Sequence, residues 1–394
     1  MRSVSEHLHE CLAAVGQLPP LAVALPDAVG CVLAEDVLAP SDHPIADLAD
    51  CDGYALAAET SREGSARVMD VVKAGAVEQM RLVPGSVVRI DSGSPMPVGA
   101  DAVVPLEDTD QGEAVVVIHQ GVQAGVNVRK RASEARSGET VLARGTRVGA
   151  RQIALVAGLG RGRILVHPKP RVVIVSVGAE LTEPGRPAAP GQVYDANGHA
   201  LATCVRDAGG AALRAGAVSD QVGELREVLE DQLVRADLII TTGGLSQGDT
   251  VRDVVAAMGD VRFDNVAIAP GRRFGVGHVN DGGTPIFCLP GDPFAVQVAY
   301  ETFVRPALLT MAGYLELYRP SVRARAVEGW RSPAGEREFV PVVLTGTPAG
   351  GYECQPMAAD FVGLAVANAL AVVPEGAAIV SPGDALDCLI LDAR

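Results

Sequence analysis

The stretch from residue 170 to 312 constrains the fold more than any other part of the chain. RVVIVSVG is a short, continuous apolar run, the pattern of a strand buried on both faces. HALATCVRDAGG follows as a helix with a glycine stop. Next come ALRAGAVS as a strand, QVGELREVLEDQLVRA as a helix, ADLIITTGG as a strand, and DTVRDVVAAMG as a helix. TPIFCLPGDP is a further strand and PFAVQVAYETFVRPALLTMAG a long helix. Strands that alternate with helices predict a parallel, doubly wound α/β sheet. In such sheets ligands bind beyond the carboxyl ends of the strands. Polar loops at 176–180, 219–220, 241–249 and 290–293 follow the strands, so they are expected to share one edge and form a site.

The flanks read differently. Residues 1–15 form an amphipathic helix with Val4, Leu8, Cys11, Leu12 and Val15 on one face. Pro19, Pro20 and Pro26 break the pattern that follows. Residues 40–145 carry short β-runs between Gly and Pro turns, the spacing of a small β-domain. A second helix falls within 146–165, stopped by Gly158 and Gly160, and is expected to pack with the first. Residues after 318 return to short β-runs, as a barrel or a sandwich. The expected parts are a helical domain (1–39 plus 146–168), an inserted β-domain (40–145), an α/β domain (169–315) and a C-terminal β-domain (318–394).

Charge and cysteine content exclude several classes. There are 33 Lys and Arg against 48 Asp and Glu, a net charge of −15. Such a balance argues against nucleic acid as a partner and against docking on anionic lipid. No apolar run reaches the length of a membrane span, and MRSVSEHLHECLAAV has no signal-peptide core, so direct membrane insertion is not expected. Seven scattered Cys without a CxxC pair are neither a disulfide framework nor a zinc site, and point to a reducing, cytoplasmic setting. His7 and His9 are two apart on a helix and face different ways, so they do not make a metal pair.

The loop TTGGLSQGD (241–249) is the most informative segment. Its glycines let backbone N–H groups approach an anion, and the next helix presents its positive end there. A phosphate or a pterin-like ring would fit. Gly244-Leu-Ser246-Gln-Gly248 also matches the GxSxG elbow of serine hydrolases. That chemistry needs an acid and then a His after Ser246. The only later His is His278, in the strand-like run FGVGHV, which argues against a hydrolase. Asp47, Asp50, Asp52 and the segment 89–104 read first as turns.

Taken together, CDGYA (51–55), RIDSGSPMPVGADAVV (from Arg89), GVNVR (125–129), VGAEL (177–181), QVYDAN (192–197), TTGGLSQGD and LPGDP (289–293) resemble the MoeA/gephyrin family. They occur in the family's order and spacing across nearly the whole chain. The resemblance implies a MogA-like α/β domain, a helical part, an inserted β-domain and a C-terminal β-barrel. It also implies a homodimer, with a cleft between the α/β domain of one subunit and the inserted domain of the other. Enzymes of the family insert molybdate into adenylylated molybdopterin and release AMP. Acidic residues with Mg²⁺ handle the phosphoanhydride, and basic residues hold the molybdate. The matching positions here are Asp52, Ser92 (where Thr is usual), Glu180 and Asp220 for catalysis. Thr242, Gly243, Gly244, Ser246, Asp249, Pro290, Gly291 and Arg272 match as ligand-binding positions, with Asp249 and Glu180 toward Mg²⁺.

Several family positions are replaced. GDEL is GAEL, with Ala179, and the last acid of GDxD is Val251. KPGKP reads Pro270-Gly271-Arg272-Arg273 after Ala269. RxxGED reads Arg129 to Glu134 without its Gly, the C-terminal GRxxFxR lacks both Arg and carries Glu336, and QGS reads Pro356-Met357-Ala358. An oxyanion needs charge-assisted donors, each worth roughly 1.5–3 kcal/mol. Their loss points first to a repurposed, gephyrin-type scaffold with weakened or lost molybdate insertion and no required cofactor. Such a scaffold would take a partner peptide, a cytoskeletal filament tail or a membrane receptor in cell division, at Leu8, Phe339, Pro341 and Tyr352. The alternative is an active molybdopterin molybdenumtransferase that uses Mg²⁺ and adenylylated molybdopterin.

Overall fold

The computed structural model describes residues 1–60, 63–75, 80–245 and 250–392. Helix α1 (Val4–Ala13) begins with a capping box: the Ser3 hydroxyl accepts the Glu6 N–H at 3.2 Å, and the Glu6 carboxylate accepts the Ser3 N–H at 2.8 Å. Val4, His7 and Cys11 are its buried residues. Leu8 is half-buried against the same apolar cluster. His7, not read as core from the sequence, stands between two aromatic rings, 4.8 Å from Phe303 and 5.5 Å from Phe274.

The α/β segment folds as β1 (Arg171–Val177), α2 (Ala196–Asp207), β2 (Ala211–Val218), α3 (Val222–Leu233), β3 (Leu238–Gly243), α4 (Thr250–Met258), β4 (Gly259–Asn265), β5 (Arg273–Val279), β6 (Thr284–Leu289) and α5 (Pro293–Ala299). The strand order is β2-β1-β3-β6-β5-β4. The first four are parallel, as the alternation implied. The last two are antiparallel, a pair the parallel expectation left out. Glycines permit that pair: a Cβ on Gly275 would stand 2.6 Å from the Phe263 ring, and one on Gly277 2.1 Å from the Asp260 carbonyl. Alternate residues of β1 bury opposite faces. Val172 and Ile174 join a core with Leu201, Phe287 and Phe303, whereas Val173, Val175 and Val177 join Leu225, Leu229 and Val254. Helix α5 widens into a π-helical turn (Tyr300–Val304) before α6 (Arg305–Met311), whose Pro306 has no N–H to donate.

The C-terminal strands are β7 (Ser321–Ala326), β8 (Arg337–Thr347), β9 (Gly351–Pro356), β10 (Ala369–Val373) and β11 (Ala385–Ile390), with α7 (Phe361–Val366) before β10. Pairing runs β8-β9-β7-β11-β10 and back to β8, so the sheet closes into a barrel rather than a sandwich. Small residues such as Ala324, Ala326, Ala369 and Ala371 fill its narrow interior. Closure corrects the expected partner groove. Phe339, 4% exposed, and the buried Pro341 are spent on the protein's own core, and Tyr352 is half-buried against the barrel interior. Leu8 is likewise partly committed to internal packing.

By internal packing the chain forms two compact units, Met1–Ala34 with Gly145–Gly149 and Leu165–Arg394, and Glu35–Arg144 with Ala150–Ile164. The two helices expected to pack together therefore belong to different units. In the second unit, five strands pair in the order Ala102–Pro105, Gly53–Leu56, Ser86–Ile90, Gly64–Val72, Val115–Ile118. Its basic run is neutralised: Arg129 pairs with Asp50 and Glu134, Lys130 with Asp47, and Arg131 with Asp42. Among the described residues no helix is long and apolar enough to cross a membrane.

The buried His7 sets a pH dependence. Burial holds it down to about 4 from its ordinary value of 6.5. Between those values the unfolded chain binds the proton and the folded chain does not. Stability is therefore full above pH 6.5 and falls as pH drops toward 4, by up to the order of 3 kcal/mol. Urea unfolding at pH 7 and pH 5 should show the loss, and His7→Leu should flatten it.

Candidate ligand pocket

Chain order reverses between β1 and β3, because β1 is followed by β2 on one side and later by β3 on the other. A crevice opens at such a switch point. A cavity of about 540 Å³ lies there. Val177, Leu181, Val193, Tyr194 and Phe361 give it apolar walls. Ser176, Asp195, Asn197 and Thr242 supply the polar floor, with Gly243 and Gly291 at the rim and Glu180 beside them. Phe361 comes from α7, so the C-terminal region adds an exposed aromatic to the α/β pocket. A larger depression, about 650 Å³, lies beside the α1 N-terminus. It is open and charged, and its Arg2 is already paired with Glu10 and Asp264, so it lacks the enclosed apolar walls of a ring-binding site.

Glycine shapes the pocket by close approach. Gly243 has φ +87°, and a Cβ there would stand 2.3 Å from the Val177 carbonyl oxygen. Gly244 has φ +68°, and its Cβ would stand 2.5 Å from Val251 Cγ2. Val251, in the first turn of α4, is fully buried in the apolar layer with Val177 and Leu225. The replaced acid is therefore a packing residue in this chain. A Cβ on Gly178 would stand 2.6 Å from Glu180 Oε1, so the carboxylate folds back over Gly178.

The floor is tightly bonded. Asp195, 1% exposed, caps α2. Its Oδ1 accepts the Gly198 N–H and the Ser176 hydroxyl, both at 2.8 Å, and its Oδ2 accepts Arg214 at 2.9 Å. Arg214 also donates to Glu183 at 3.0 and 3.1 Å and holds that carboxyl below its usual range. Thr242 donates to the Pro290 carbonyl at 2.7 Å. Gly271 packs against Pro290 and Ala295, which brings the 269–273 turn to the same sheet edge. There Arg272 is ion-paired with Glu336, and Arg273 donates to the Leu245 carbonyl at 3.2 Å. Arg337 pairs with Glu375 at 3.0 Å.

Of the residues singled out in the sequence, Glu180, Thr242, Gly243 and Gly291 line the cavity. Gly244 and Pro290 adjoin it through the backbone. Asp220 lies in the exposed loop after β2 and does not line the cavity, and Arg272 is committed to Glu336. Ser246 and Asp249 lie outside the described residues. Asp52 and Ser92 belong to the other compact unit, where the Ser92 N–H donates to Asp52 Oδ1 at 2.6 Å. His278, the residue a hydrolase would need, meets the Ala14 carbonyl at 2.8 Å instead. Ser176 falls in one of the polar loops expected to form the site, whereas sequence reasoning gave Asp195, Asn197, Tyr194 and Phe361 no role there. QVYDAN carried the signal for three of them, since Asp before a helical run marks an N-cap. Phe361 gave none, because only tertiary folding places it at the pocket. Among the described residues no three His, Cys, Asp or Glu side chains converge as a metal site. Asp195 has both oxygens occupied, and of the two acids expected toward Mg²⁺ only Glu180 is among the described residues.

The fold and the cavity define a ligand-binding, doubly wound α/β protein with an appended five-stranded barrel and an inserted β-sheet unit. Residues 2–160 match the MoeA N-terminal region (domain I and II), 173–310 the probable molybdopterin binding domain, and 323–391 the MoeA C-terminal region (domain IV). The chain belongs to the MoeA family. It is 37% identical to molybdopterin molybdenumtransferase 2 of Mycobacterium tuberculosis over 98% of each chain, and 34% identical to molybdenumtransferase 1 of that organism over 99% of each. A molybdopterin biosynthesis MoeA protein from Pyrococcus horikosii superposes with a TM-score of 0.84 at 26% identity, over 100% of this chain and 99% of that one.

The glycines separate two predictions. Gly243→Ala should cost about 3 kcal/mol or more, because strain and a backbone clash coincide. Gly291→Ala, whose Cβ would meet only the Gly243 Cα at 3.4 Å, should stay within about 0.5 kcal/mol. Denaturant unfolding of both variants checks the contrast.

Proposed function

We propose that the protein is a molybdopterin molybdenumtransferase, inserting molybdate into adenylylated molybdopterin with release of AMP. The observation that carries this reading is the switch-point pocket, whose lining, apart from Phe361, lies in the segment matching a probable molybdopterin binding domain. Apolar walls with a few placed polar groups suit a planar heterocycle. Gly243, Gly244 and Gly291 let a ligand approach the backbone, with Thr242 and Pro290 fixing the edge, and Ser246 and Asp249 are proposed as further ligand-binding positions. Glu180 places a carboxylate beside the ligand. Asp52, Ser92 and Asp220 are proposed to act on the phosphoanhydride, and Arg272 to meet the molybdate oxyanion.

The names of the relatives favour this reading over the scaffold expected from the replaced cations. The buried Phe339 and Pro341 also leave that scaffold without two of its anchors. The lost cations still have a consequence. Glu336 engages one nitrogen of the Arg272 guanidinium, so a bound oxyanion would share that cation with a carboxylate. The family resemblance adds a homodimer to the proposal, which light scattering on the purified chain would check.

The test is molybdate-dependent release of AMP from adenylylated molybdopterin. Asp52→Asn keeps an acceptor for the Ser92 N–H and removes only the charge, so it should lower turnover about 100-fold with little change in stability. Glu336→Gln should free Arg272 and lower half-saturating molybdate by about 3-fold or more. A folded protein that releases no AMP at any molybdate concentration would overturn the proposal.

A further inference from the structure

Asn197, in the first turn of α2, donates twice through its amide nitrogen: to Thr242 Oγ1 at 3.0 Å and to the Gly291 carbonyl at 2.8 Å. The Thr242 hydroxyl in turn donates to the Pro290 carbonyl. One primary amide thus joins the start of α2, the end of β3 and the β6–α5 turn, and Asn197, Thr242 and Gly291 all line the cavity. Chemistry fixes the amide's orientation. The Gly291 carbonyl can only accept, and the Thr242 hydrogen is already engaged, so a turned amide would set oxygen against two oxygens. The outward cost is visible at the other end, where Asn197 Oδ1 is buried without a hydrogen-bond partner among the described residues. Unpaired buried acceptors are destabilising and rare, and they concentrate where function rather than stability decides the residue.

We infer that Asn197 is a positioning residue: its two N–H bonds hold the Gly291 turn and the Thr242 hydroxyl at the spacing at which the cavity accepts a planar ring of the pterin class. The inference rests on the proposed ligand class of the same pocket. Asp has the shape of Asn but no hydrogen to donate when ionised. The ionisable groups around this position are Asp195, paired with Arg214, Glu180 on the same cavity, and Asp292 beside Gly291. β3 and α7 bring no charged side chain to the cavity. Carbonyl oxygens and neighbouring carboxylates would raise the introduced carboxyl, so lowering the pH returns a proton and one donor.

The experiment compares the wild-type chain, Asn197→Asp and Asn197→Ala from pH 5 to 7.5, by calorimetric titration with free pterin. At pH 7.5 both variants should bind about 10-fold more weakly, the scale of a lost hydrogen bond. Toward pH 5 Asn197→Asp should recover to within about 3-fold of wild type, while Asn197→Ala stays weak. Amide hydrogen exchange of residues 289–296, corrected for intrinsic rate, should follow the same pattern without ligand. Wild-type affinity in Asn197→Asp at pH 7.5, or equal and pH-independent losses in both variants, would overturn the inference. A wild-type chain that binds no pterin would instead count against the ligand class, and the exchange data alone would then decide the role of Asn197.

Discussion

The approach of β3 to β1 at the switch point is the constraint on which the rest of the site depends. Gly243 brings its backbone so near the Val177 carbonyl that no side chain fits between them. That contact sets where the two strands diverge, and the divergence opens the cavity. The adjoining Gly244 rests on Val251, so the end of β3 is anchored on the apolar layer that the first turn of α4 helps to bury. Ligand access and core packing are thus decided by the same few atoms. This explains how an acid of the family pattern is replaced by valine without an opening in the core.

Charge in this protein is mostly internal to it. Asp195 is surrounded by Ser176, Gly198 and Arg214, and the basic run at 129–131 is answered by four acids. Arg272, Arg273 and Arg337 each have a partner within the chain. An oxyanion proposed to bind at this sheet edge would therefore meet cations that already have partners within the chain.

Much of the fold was legible from residues 170–312, where continuous apolar strands and capped helices leave one reading. The four polar loops do fall at one sheet edge, though Asp220 stands outside the cavity. FGVGHV in β5 already reads as strand-like, but β4 and its antiparallel pairing with β5 were not legible, since the close approach of Gly275 and Gly277 to Phe263 and Asp260 appears only in the folded chain. Barrel closure was not legible either. Phe339 and Pro341 read as exposed strand residues in a linear sequence, and only the return of β10 onto β8 buries them. His7 shows the same limit, because a polar side chain on an amphipathic helix gives no sign that two phenylalanines enclose it.

The sequence by itself determined the alternation of parallel strands and helices and the family, because these follow from local periodicity and from motifs read along the chain. Tertiary structure decided which polar groups remain available. Asp195 and Arg272 look equally open as letters, yet one is capped from three directions and the other is bound to Glu336, sixty-four residues away. It also decided that Phe361 belongs to the α/β pocket and that Asn197 ties its floor. The physical reason is that pairing and burial depend on distance in space, and residues far apart in the chain set that distance only after the strands have closed.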